Sequence, residues 1–409
     1  MCRLLCFLFF VPCFSIAQTA APSTNNLLIY LDCNSCDNTY LRQNISQIEF
    51  VRDRKVAEVH LLFTNQQTGS GGSSEMIQFI GLGQFEGEID TLTYSLDVNM
   101  TSDERRRKQK RFIELGLIHY LIKKGNYNDI TVQLGKEEVL SDTVNDPWNY
   151  WVFGLNINGW ANGQETRFSI NTNSSISAKR VTKKNKFSIR ANYNRNYQQY
   201  KYENETVIGN QENSNVNLQE IISINNKWSY GIFADGGNSI FRNYNLYGQL
   251  GTGIEYNFFP YDESATKQVI AAYSIGTRYN DYIDTTIFNK DRELLGQHRV
   301  LLAGSVQQQW GSLSGSVSWD NFLHDFKLNS TSFWLNFNIR LFKGFSWRIN
   351  GSFDVLHNQI NLKKEDASLE DILLQQQQLG SGYSFWMSTG INYSFGSIYN
   401  SIVNPRFDF

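Results

Sequence analysis

From Tyr383 to Phe395 the chain alternates. Tyr383, Phe385, Met387, Ile391, Tyr393 and Phe395 fall on one face, with Thr389 among them, and mostly small or polar residues fall on the other. A period of two is that of a β-strand whose two faces meet different media. Twelve such stretches run between Trp151 and Phe395. An even number of amphipathic strands in an exported chain points to a closed antiparallel barrel in a bacterial outer membrane. A soluble sandwich also alternates. It would not place so many large apolar side chains on faces that a closed sheet leaves exposed.

The composition agrees with this reading. Of 409 residues, 14% are aromatic but only 41% are hydrophobic. Half of each barrel strand faces lipid and half faces water, which calls for such a mixture. The net charge of −2 offers no basic field for nucleic acid. Beyond the N-terminus no run of about 20 apolar residues suggests a membrane helix.

The N-terminus reads as a secretory signal over residues 1–17. Arg3 starts it, Leu4 to Phe14 is the apolar stretch, and Ser15-Ile16-Ala17 offers a cleavage site. Residues 18–26 form a polar leader. Of five cysteines, only Cys33 and Cys36 lie beyond the signal. In an oxidising periplasm they are disulfide candidates. The alternative is a thioredoxin-like redox pair. Two cysteines alone do not close a zinc site, and no metal or cofactor is expected.

Residues 27–125 read as a small α+β domain. Strands are expected at Leu27–Leu31, Ala57–Thr64 and Glu75–Phe85, with helices at Asn38–Ile48 and about Asp103–Lys123. Thr101 or Ser102 can cap the second helix, and Phe112, Leu115, Ile118 or His119, and Ile122 give it an apolar stripe. Gly69-Ser70-Gly71-Gly72 lacks the Gly-Lys-Ser/Thr of a phosphate loop and reads as a hairpin connection. The basic run Arg105 to Arg111 reads as a solvated helix face. Its functional alternative is contact with anionic headgroups or an acidic periplasmic partner.

Residues 126–147 link this domain to the barrel at 148–409. Short turns at 182–185, 225–227, 260–266, 311–312 and 343–344 alternate with longer connections at 203–214, 236–244, 282–297, 324–331 and 358–382. This asymmetry places the N-terminal domain on the periplasmic side. A helix is expected at Ser368–Asp371 within the longest loop, as a plug or an outward display. The polar faces carry lumen candidates of both signs: Arg167, Arg190, Asp235, Glu255, Arg278, Asp320, Arg340, Arg348 and Asp354. They read as ion pairs filling a narrow lumen, or as a selectivity element for anionic solutes. His298, His324 and His357, expected at loops or strand ends on the outer side, leave a lipid hydrolase as a minor alternative. No spacing marks one of them as activated, so an enzyme is not expected.

Glu255-Tyr256-Asn257, Phe259-Pro260-Tyr261, Trp310-Gly311-Ser312, Tyr393 to Ser397 and Val403 to Phe407 resemble a group of Bacteroidota-type outer-membrane barrel proteins. Asp32-Cys33 to Cys36 and Val51 to Arg54 resemble the N-terminal region of the same group. The resemblance implies an outer-membrane barrel with a periplasmic N-terminal domain. It carries over no ligand or catalytic residue. The expected function is a narrow pore or transporter for small solutes. The alternative is a structural or interaction protein whose plugged barrel anchors the periplasmic domain or displays loops. The expected partners are outer-membrane lipids and a periplasmic protein met by the N-terminal domain.

Overall fold

The computed structural model describes residues 26–45, 48–69, 71–125, 146–202, 205–342, 344–365, 377–396 and 406. The expected signal and most of the expected leader lie outside these residues. So do nearly all of the linker, the helix expected at Ser368 and most of the segment after the last strand.

The N-terminal part is a five-stranded sheet under two helices. Its elements are β1 (Leu27–Asp32), α1 (Asn38–Asn44), β2 (Ile48–Phe50), β3 (Val59–Gln67), β4 (Ser73–Gly81), β5 (Ile89–Leu96) and α2 (Ser102–Lys123). The order is β2-β1-β3-β4-β5. β1 runs parallel to β2 and β3, and β4 is antiparallel to both its neighbours. Helix α1 is shorter than expected, because Ile48–Phe50 pairs with β1. β5 has no counterpart in the sequence reading. Its stretch Ile-Asp-Thr-Leu-Thr-Tyr-Ser-Leu is a sheet edge, mostly exposed, in which only Leu92, Tyr94 and Leu96 alternate with polar residues.

Thr101 caps α2 in a capping box with Glu104. The buried stripe differs from the expected one: it is Gln109, Ile113, Leu117, Tyr120 and Leu121, while Leu115 and Ile122 are exposed. From Phe112 to Ile122 the helix is apolar on nearly every side, so periodicity alone could not choose the face. The basic run before it is largely paired. Arg106 reaches Asp37 and Asp103, Arg107 reaches Asp103, and Lys110 reaches Glu114.

β3 is buried on both faces from Val59 to Thr64. Val59, Leu61 and Phe63 enter the helix-side core with Ile77, Phe79 and Ile113. His60, Leu62 and Thr64 point the other way and are buried as well. The near-continuous apolar stretch is what a doubly covered strand requires.

The rest of the chain is one antiparallel sheet of twelve strands. These are β6 (Trp151–Gln164), β7 (Arg167–Val181), β8 (Asn185–Tyr202), β9 (Glu205–Ser223), β10 (Trp228–Ser239) and β11 (Tyr244–Asn257), followed by β12 (Lys267–Tyr282), β13 (Arg292–Gln308), β14 (Gly311–Phe322), β15 (Asp325–Phe342), β16 (Phe345–Leu356) and β17 (Tyr383–Tyr393). Each strand pairs with its sequence neighbours, and no pairing is described between β6 and β17. Several expected loops are strand instead. β9 begins at Glu205 and β13 at Arg292, which shortens the connections expected at 203–214 and 282–297. One face of the sheet carries large exposed apolar side chains, with Leu155 73% and Phe385 68% exposed.

Candidate functional site: the polar face and its two covers

Residues directly opposite across paired strands share a face. Arg190 faces Asn217, Asn217 faces Asp235, Asp235 faces Gln249, Gln249 faces Arg278, and Arg278 faces Leu295. Following the alternation along each strand puts all nine charged candidates on this one face. They do not gather into one cluster. Arg278 lies over Tyr244 at 5.2 Å and Tyr247 at 5.4 Å, and donates to Asn280 Oδ1 at 2.9 Å. Glu255 accepts from the Tyr261 hydroxyl at 2.6 Å. Asp320 is 3.5 Å from Arg299. Asp354 accepts from Ser384 at 3.3 Å, and Arg167 lies 5.3 Å above the Tyr200 ring. Arg190 pairs across from Ser177, and Arg348 across from Asn338 and Gly390.

Arg340 is different, because its partner lies in the N-terminal domain. Its guanidinium forms a two-pronged ion pair with Asp32, the last residue of β1, and sits 5.6 Å from the Tyr30 ring. His60 Nε2 is 3.4 Å from the same carboxylate. His60 is 0% exposed, and its Nδ1 has no hydrogen-bond partner among the described residues. Around this cluster the second face of the small sheet lies against the short-turn rim of the large one. Arg54 Nη1 donates to Gln309 at 2.7 Å, Gln307 Nε2 to the Phe63 carbonyl at 2.8 Å, and Gln66 Nε2 to Ser264 Oγ at 2.8 Å. At the β3–β4 hairpin tip a Cβ on Gly69 would lie 2.5 Å from the Val181 Cβ, so only glycine permits this approach. A cavity of 160 Å³ remains in the seam, lined in part by Leu62, Gln78, Ile80 and Gln309.

The seam electrostatics follow from burial and pairing. Burial pushes the Asp32 carboxyl up, but hydrogen bonds from His60 and Arg340 outweigh it, and the net direction is down. Burial pulls the His60 imidazole down; the bond to Asp32 opposes this without reversing it. The arrangement is a neutral imidazole beside an ionised carboxylate held by a guanidinium.

The opposite rim has its own cover. The segment 357–365 leaves β16 and reaches the β10–β11 and β12–β13 connections. Asn243, buried at a φ of 61°, donates through Nδ2 to the carbonyls of Asp284 at 2.8 Å and Asn361 at 3.1 Å. Lys363 pairs with Asp284 at 2.7 Å, and Thr286 bridges to Lys363. Ile360 packs with Leu295 and Phe322 over the end of the polar face.

Cys33 and Cys36 have Cα atoms 5.6 Å apart, with sulfurs at bonding distance, directly after Asp32. The outer histidines do not converge. His298 lies within β13, not at its end, because the strand starts at Arg292; its ring packs among Tyr273, Trp319 and Phe326. His324 lies beside Phe322 in the β14–β15 turn, and the His357 amide donates to the Asn329 carbonyl. Sequence reasoning did not single out Asp32 and His60 as a pair, nor Asn243 and Asn361. It also passed over a run of asparagines on the polar face of β6–β9, although Asn-x-Asn repeats such as Asn192-Tyr193-Asn194-Arg195-Asn196 were visible.

No protein-family model and no curated protein matches the chain. Among solved structures it is similar to the beta domain of the Bordetella autotransporter BrkA. That likeness has 11% identity over 60% of this chain and 98% of that one, with a TM-score of 0.25, too low to carry an argument.

Proposed function

We propose that the chain is an integral outer-membrane barrel that holds its N-terminal domain as a plug on the periplasmic rim. The exposed apolar face supports the membrane reading. A patch of that extent is far beyond what a soluble surface tolerates, and no helix among the described residues is long and apolar enough to cross instead. In this reading β6 and β17 pair to close the sheet, because an open edge in hydrocarbon leaves backbone groups unsatisfied at several kcal/mol each. The short turns face the periplasm. Cys33 and Cys36 form a disulfide that fixes the chain next to Asp32. Membership of the Bacteroidota-type group belongs to the same reading, and no catalytic step does.

The seam carries the choice between an open pore and a plugged barrel. A domain that only hangs from a linker would leave the outer face of its sheet to water. Here His60, Leu62 and Thr64 are buried on that face and Asp32 is locked to a barrel arginine. The test is conductance in a planar bilayer. The full chain is expected to stay closed, while Arg340→Ala or removal of residues 27–125 opens measurable channels. A full chain with steady conductance, unchanged in both variants, would sink the plug.

A further inference from the structure

The polar face of β6–β9 differs from the rest of the sheet. Four rows of paired residues cross it: Asn156-Ser175-Asn192-Asn215, Asn158-Asn173-Asn194-Asn213, Trp160-Asn171-Asn196-Gln211 and Asn162-Ser169-Gln198-Gly209. Of these sixteen positions, twelve are carboxamides and none is charged. Arg190 lies below the rows and Arg167 above them, so formal charge frames the wall without entering it. From strand spacing and rise the wall measures about 14 by 20 Å.

Its place in the fold is the loop rim. β8 and β9 have 18 and 19 residues, well beyond the roughly 10 that cross a bilayer. On the opposite face Ile189, Ala191, Val216 and Leu218 are followed by the polar level of Arg195 and Glu212, 3.4 Å apart, with Tyr197, Gln199 and Ile208 beyond it. The wall therefore spans the outer end of the apolar belt and the extension beyond it. The described hydrogen bonds of segment 357–365 to the rest of the sheet run to β15 and to the β10–β11 and β12–β13 connections, away from this wall.

We infer that this wall is a binding site for a neutral polyhydroxylated chain, an oligosaccharide without acid groups. A carboxamide donates and accepts at once, which complements a hydroxyl that does the same. An anionic ligand would require cations within the wall. Trp160, 54% exposed, offers a ring face on which a sugar ring can stack. The described internal bonds, among them Asn171 to Ser169 and Asn192 to Asn215, run along or between adjacent strands and leave the amides lying on the face. The inference rests on the membrane reading only for the wall's exposure to the outside.

The test uses the full chain in detergent, so that binding does not depend on how it sits in a bilayer. The probes are neutral hexasaccharides of α-glucan, β-glucan and mannan, with oligogalacturonate and heparin hexasaccharides as anionic counterparts, read by titration calorimetry. At least one neutral probe is expected to bind. Trp160→Ala and the double variant Asn194→Ala/Asn213→Ala should each weaken it about tenfold, and Arg340→Ala, at the far rim, should leave it unchanged. Heat-modifiable electrophoretic mobility shows that each variant is folded. Folded protein that binds no neutral probe, prefers the anionic ones, or binds equally well in both wall variants overturns the inference. Failure to insert into bilayers or to stay closed bears on the plugged-barrel reading instead.

Discussion

The contact between Asp32 and Arg340 joins residues 308 positions apart. The two ends are not equivalent. The Asp32 side chain is 11% exposed and that of Arg340 32%. Arg340→Ala strands a buried carboxylate and is expected to weaken docking by about 3 kcal/mol. Asp32→Ala leaves a guanidinium that can still reach water, at a cost of about 1 kcal/mol. Limited proteolysis of the domain in reconstituted protein measures both, and two values within about 0.5 kcal/mol of wild type would refute the contact's role. Acid acts on the same cluster. The docked state lowers the affinity of His60 for its proton, so the released domain binds more protons as pH falls below about 6.5, and docking weakens. The depressed Asp32 carboxyl contributes docking stability above about pH 3.9 that is lost as pH falls through its lower docked value. Protease sensitivity should therefore rise between pH 7 and 5, and His60→Gln should flatten that rise. A pH-independent wild type would contradict the assignment. None of this was legible beforehand: Asp32 looked like a flank of a cysteine pair, and Arg340 like one lumen charge among nine.

At the scale of elements the legible features were those with a local cause. Thr101, Asp103 and Glu104 announce the start of α2, and the capping box forms. Thr101→Ala should cost about 1 kcal/mol, seen as a lower melting temperature of the N-terminal domain by roughly 4–8 °C. The buried face of α2 was not legible, since Leu115 and Leu117 look alike in sequence. Their variants separate them. Leu117→Ala should cost about 2–5 kcal/mol, whereas Leu115→Ala should stay within about 0.5 kcal/mol. Equal losses in calorimetry would reverse the assignment of faces. The β8–β9 hairpin shows the complementary limit. Residues 205–214 of β9 fall in an expected loop, because alternation fades where both faces of a strand meet water, whereas β8 matches its expected strand almost end to end. The asparagine rows run across both strands, visible in the sequence as a period of two in one residue type, not in hydropathy.

For the whole molecule, the decisive matter is the pair of end strands. Alternation predicted twelve antiparallel strands, and the sheet has them in sequence order. Closure was inferred from their even number and from the lipid, not from any residue, and residue patterns do not encode which register would join β6 to β17. Both strands are exposed along nearly their whole length, unlike the strands between them. In hydrocarbon such edges have no water to satisfy their N–H and C=O groups. If the protein spans a membrane alone, Trp151–Gln164 and Tyr383–Tyr393 must therefore bond to each other. Amide hydrogen exchange in lipid nanodiscs reads this directly. The amides of both strands are expected to exchange as slowly as those of β12 and β13 in the middle of the sheet. Exchange as fast as in the β12–β13 connection would mean a standing seam in the wall, and a barrel that needs a second chain or a lipid-filled gap to exist in the bilayer.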